Sequence, residues 1–184
     1  DPKLVFVPSH LRLVHSSADP IFFKATLYEN LTFGVADGDP DGEVSRVVEI
    51  CKKLGLPSRL VDLVEPGKDG VVSPWSLVLS STHRCLFSIA RALVTNPECL
   101  LLHKPTMQLD DKTGFHVLKL LQEFVRNKGL LQDPGKRHLR RPRTCIFTTS
   151  RLEGLEYADK VYLCSRRTGV TELQKDQWSD DLLN

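Results

Sequence analysis

No apolar run in these 184 residues approaches the ~18–20 that a membrane-crossing helix needs, so none is expected within them. No basic-then-apolar leader opens them, and no secretory signal is expected either. Paired cysteines are missing as well. Cys51, Cys85, Cys99, Cys145 and Cys164 stand singly, mostly inside apolar segments, which favours reduced, packed thiols in a cytosolic setting over a disulfide frame. Zinc spacing is absent too: Cys99 and His103 lie across a strand and its exit, and His83-Cys85 fits no ligand pattern, so no metal site is expected. The phosphate-cradling pattern G-x-x-x-x-G-K-[ST] does not occur. Gly67-Lys68 runs into Asp and Gly135-Lys136 into Arg, with no strand before either pair. The first residue is Asp rather than Met, so two readings stay open: a sequence trimmed from a longer protein, or one without that loop. There are no internal repeats.

What remains is the composition of an ordinary globular protein, 41% apolar and 26% charged, with enough residues for one cored domain. Residues 79–110 carry the most information. Ser80-Ser81-Thr82 read as a turn; Leu86, Ile89, Ala90, Leu93 and Val94 then recur at helical spacing. Asn96-Pro97 stops that helix, and Leu100-Leu101-Leu102 reads as a strand buried on both faces.

Upstream, residues 4–7 and 11–14 read as short strands and 26–31 as a helical turn or two. The Asp/Gly/Pro run at 37–42 is a turn signal. A helix over 43–54 buries Val44, Val47, Val48, Cys51 and Leu54, and Gly55 ends it. Pro57 opens a shorter helix through Val64, and residues 65–76 form a loop anchored by Trp75. Asp110-Asp111 can cap a helix whose buried stripe is Val117, Leu118, Leu121, Phe124 and Val125. Residues 145–149 and 161–164 read as parallel-sheet strands, and the tail from 173 as helical or frayed. Residues 126–143 hold seven Lys/Arg and one acidic residue, a local +6 in a chain of net +2. The expectation is a solvated, mobile insertion, with contact to acidic lipid headgroups as the sharper reading. No aromatic is interleaved to stack bases, which disfavours nucleic acid.

These residues resemble the nucleotide-binding domain of ABC transporters, of the exporter type. Leu79-Ser80, Ala90-Arg91-Ala92-Leu93, Asn96-Pro97, Pro105-Thr106 and Leu109-Asp110 match, without gaps, the LSGGQ helix, Walker B strand and D-loop. Residues 19–34, ending Glu29-Asn30-Leu31-Thr32-Phe33-Gly34, are similar to the segment after the Q-loop, and residues 144–152 to the strand that leads into the switch His. The resemblance runs from near Leu11 to near Leu173 and implies an α/β fold, a mostly parallel sheet flanked by helices. It also implies a single partial domain over 1–184, with a helical subdomain near 25–80. ATP and Mg²⁺ are the ligands it implies. A second nucleotide-binding domain, in a head-to-tail dimer, and transmembrane domains are the partners. The cytosolic face of a membrane, as part of a larger protein, is the location.

The chemistry-bearing positions depart from that pattern. Ser81 and Thr82 replace the two glycines of the signature, and His83 its Gln; Leu79, Ser80, Ser81, Thr82, His83 and Asp110 are the nucleotide-contact positions the resemblance implies, weakened by these exchanges. Ala18 stands at the Q-loop Gln, His103 at the metal-binding Asp, Lys104 at the catalytic Glu and Ser150 at the switch His. An imidazole cannot replace a carboxylate toward a hard, oxygen-seeking ion, and Lys104 inverts the local charge. Ser81 and Thr82 are good helix caps, so some anion affinity at that helix start is expected. No residue is assigned as catalytic or as a metal ligand. The expectation is a non-hydrolytic domain serving dimerisation or coupling, with no turnover by this chain alone. Two alternatives are kept: an ATP-binding half whose Walker A lies upstream and which hydrolyses only at the partner site, and a soluble regulatory scaffold. Phe22 and Phe23 read as core or coupling-surface aromatics.

Overall fold

A computed structural model describes residues 6–65, 74–152 and 154–178. Three short strands, β1 (Leu13–Ser16), β2 (Cys99–Leu102) and β3 (Thr144–Phe147), form a parallel sheet in the order β1-β2-β3. Leu100 pairs with Val14 on one side and Cys145 on the other. The helices are α1 (Leu27–Thr32), α2 (Val44–Lys53), α3 (Ser58–Val61), α4 (Trp75–Val78), α5 (Ser81–Val94) and α6 (Asp111–Arg126). A separate hairpin pairs β4 (Val161–Ser165) with β5 (Gly169–Leu173). No helix of the described residues is long and apolar enough to cross a membrane.

The apolar spacing explains which face each helix buries. α5 sinks Leu86, Phe87, Ile89, Ala90, Leu93 and Val94 between β1, α1 and α2. α6 buries Val117, Leu118, Leu121 and Phe124, while Val125 is only partly covered. Capping fixes the starts. Thr26 and Glu29 close a reciprocal capping box on α1, Ser80 accepts from the His83 N–H, and Asp110 from the Thr113 N–H.

Several expectations need correction. The first strand lies at Leu13–Ser16, later than 11–14. Of residues 4–7, the first two lie outside the described residues, and Phe6 and Val7 join no strand. Gly67-Lys68, most of the 65–76 loop and the end of the tail also fall outside them. Trp75 does anchor its segment, with Nε1 donating to the Ala25 carbonyl at 2.7 Å, but it starts a helix rather than a loop. β2 is buried on one face only. Leu100 and Leu102 point into the core, while Leu101 is partly open beside His15 and exposed Ile146. β4 is not a parallel strand. It turns back at residues 166–168 into antiparallel β5, which Gly169 opens at a left-handed φ of +72°. Cys164 is exposed, whereas burial pushes the thiols of Cys51 and Cys145 up to about 12 and that of Cys85 to about 11.

Residues 126–143 are ordered by their own cations. Arg137 donates to the Arg126 carbonyl at 2.7 Å, and Arg140 to those of Asp133 and Asn127. A 3-10 turn, Pro134–Leu139, forms between them. Arg143 is buried against Glu98 at 3.2 Å. These bonds give the segment a local fold at the end of α6, with most of its residues exposed as expected.

Candidate functional site

The C-terminal ends of β1 and β2 are where an open α/β sheet places its ligand crevice. Ala18, His103 and Lys104 converge there. With Ser16, Cys85 and Ser88 they line a cavity of about 10 Å³, room for about one water and not for a nucleotide. Ser16 and Ser88 join their hydroxyls at 2.9 Å, and Cys85 Sγ donates to the Pro105 carbonyl.

β2 releases into a turn at Lys104, whose φ of +49° is unusual for a residue with a side chain. The Lys104 N–H donates to Thr148 Oγ1 at 3.0 Å, and His103 Nδ1 shares that hydroxyl at 3.0 Å. Thr148, just past β3, therefore holds both substituted positions. Its role was hidden in the sequence because its only signal there is a hydroxyl in a polar Thr-Thr-Ser run. Ser150 is exposed beyond it, and no hydrogen bond joins it to the described residues.

Gln108 links the remaining elements. Its side-chain amide donates to the Ala18 carbonyl at 3.3 Å, and its backbone carbonyl accepts from Thr82 Oγ1 at 3.1 Å. The hydroxyl that caps α5 is thus Ser80's alone; Thr82 turns inward instead of capping or crowding a ligand. Leu79 is buried, while Ser80 and Ser81 are exposed at the helix start. Burial, then Arg59, depresses the His83 pKa, which favours the neutral ring. Asp110 lies exposed at the start of α6, its pKa lowered by the hydroxyl and N–H of Thr113. Next to it, Asp111 pairs with Arg151 at 3.0 Å and ties α6 to the segment after β3.

A hard divalent ion such as Mg²⁺ takes carboxylate, carbonyl and water oxygens. The end of β2 presents an imidazole and an ammonium, so these residues do not fit Mg²⁺. Among the described residues no group of three His, Cys, Asp or Glu side chains is placed to hold a metal.

The motif residues kept around the site hold it together. Arg91 donates to the Asn30 carbonyl at 2.7 Å, to Asn30 Oδ1 at 3.0 Å and to the Ile21 carbonyl at 2.9 Å. Its guanidinium also covers the rings of Phe22 and Phe23. Phe22 packs on the core, whereas Phe23 meets exposed Phe33 at 4.5 Å.

No protein-family model matches the chain. An ABC transporter of Fusarium pseudograminearum is 32% identical over 154 residues, 84% of this chain and 10% of that protein. The ABC transporter ATP-binding protein YknV of Bacillus subtilis is 25% identical over 86% of this chain and 23% of its own length. The glutathione/L-cysteine transport system ATP-binding/permease protein CydC of Haemophilus influenzae is 30% identical over 76% of this chain and 21% of its own. The chain thus spans no more than about a quarter of these curated relatives. A metal-chelate type ABC transporter, solved in an inward-facing conformation, superposes with a TM-score of 0.60 at 18% identity over 91% of this chain and 60% of that one.

Proposed function

The chain is a homologue of the ABC transporters and carries the fold of their ATP-binding domain; from that premise we propose that it is a degenerate, non-hydrolytic member. On this reading it serves transport by pairing with a second ATP-binding domain and by coupling to transmembrane domains at the cytosolic face. One observation carries the proposal. At the end of β2, His103 and Lys104 share Thr148 where the family places two carboxylates, which supports a site without the carboxylates that hold Mg²⁺ and polarise a water. What survives is architecture: Arg91 clamping residues 21–30, Asp110 capping α6, and Gln108 joining Thr82 to Ala18.

Residual phosphate contact at Ser80 is compatible with this role, because the start of α5 keeps its helix dipole. An ATP-binding half that hydrolyses only at its partner's site is the second reading, favoured by the retained Ser80 cap. Titration of a fluorescent ATP analogue with and without Mg²⁺ tests the proposal. We expect any affinity to be indifferent to the metal. Tightening by Mg²⁺ that disappears in His103→Ala would sink it.

A further inference from the structure

We propose that residues 126–143 form a docking surface for an anionic lipid bilayer. The first reason is uncompensated charge. Of the seven cations in the segment only Arg143 meets a carboxylate among the described residues, that of Glu98. Arg126, Lys128, Lys136, Arg137, Arg140 and Arg141 form no ion pair among the described residues.

The second reason is that this charge is held in shape. Arg137, Arg140, Lys128 and Arg141 donate to the carbonyls of Arg126, Asp133, Arg140 and His10 respectively. A neutral carbonyl fixes a guanidinium without cancelling it. The platform is therefore ordered before it meets a ligand, and binding costs less conformational entropy.

The third reason selects the ligand. Leu139 is 72% exposed and Leu131 41% exposed within this basic segment. Exposed apolar side chains within a Lys- and Arg-rich segment suit the boundary between headgroups and acyl chains. A nucleic acid would leave those leucines in water, and the segment has no aromatic on which a base can stack. The remainder of the chain sums to −4, so the attraction is local and orients the molecule. This surface stands apart from the strand-end site and does not depend on how that site treats ATP.

The test is co-sedimentation of the 184-residue chain with vesicles of phosphatidylcholine alone and of phosphatidylcholine with phosphatidylserine. Binding should require the anionic lipid and weaken with salt. Lys136→Ala should cost about fivefold, the effect of one basic residue near such a surface. Leu139→Ser should weaken vesicle binding further, while Lys24→Ala, outside the segment, should leave it unchanged. Lys136, Leu139 and Lys24 are exposed, so these variants should fold, and unchanged far-ultraviolet circular dichroism checks that they do. Equal binding to both vesicles, or no response to either Lys136→Ala or Leu139→Ser, overturns the proposal. So does release by inorganic phosphate beyond that by chloride at equal ionic strength, which marks a free-anion site. Single-stranded RNA held as tightly as vesicles, with Leu139→Ser without effect, overturns it in favour of nucleic acid.

Discussion

Lys104 takes a left-handed backbone, which costs a residue with a Cβ roughly 1–2 kcal/mol, and its N–H bond to Thr148 offsets part of that. The substitution to Lys was legible in the sequence; the hydroxyl that holds the turn was not, because its partners lie 44 and 45 residues away. Asp110 shows the opposite case, since its capping role follows from its position before an apolar stripe. Its pKa is lower in the fold than in the unfolded chain, so its contribution is full above the ordinary carboxylate range and fades as pH falls through the depressed value. Asn caps nearly as well but does not titrate. Thermal melts across pH should therefore show Asp110→Asn less stable near neutrality, with the gap closing in acid. A gap that stays constant with pH would contradict a charged cap.

Helices were more legible than strands, for a reason of length. α2, α5 and α6 run 10, 14 and 16 residues, enough turns for a 3.6-residue period to show, whereas the strands have four or five residues. β5 escaped notice because nearly all of it is exposed, leaving no alternation to read. Tertiary partners were also hidden. Arg46 is buried and donates to the carbonyls of Leu93 and Val94 at the end of α5 and of Leu130, contacts 47 to 84 residues distant. Asn96, at φ +50° before Pro97, reaches the Asp41 carboxylate, which Gln132 also meets at 2.7 Å. Two glycines probe these elements with opposite signs. A Cβ at Gly114 meets Thr106 at an ordinary 3.5 Å, so Gly114→Ala should stabilise α6 by about 0.5–1 kcal/mol. At Gly129 the φ is +125° and a Cβ would lie 2.8 Å from Asn96 Oδ1, so Gly129→Ala should cost about 2 kcal/mol or more. Urea denaturation of both variants checks the pair; equal effects would mean the Asn96 contact is not tight.

At the scale of the molecule, one apolar core joins the sheet to α1, α2, α5 and α6, in the α/β arrangement that the motif order implies. The single-sided burial of the sheet was not foreseeable from β2, because a run of leucines reads alike whether one face or both are covered. That core preserves an ATPase architecture around a strand end that has lost its acids. Under the proposed function this architecture persists without turnover. Phosphate release from ATP and Mg²⁺ by the chain, beside Ser80→Ala and Lys104→Ala, tests it most directly. The account predicts no release above buffer for any of the three. Release by the unaltered chain that either substitution abolishes would contradict it.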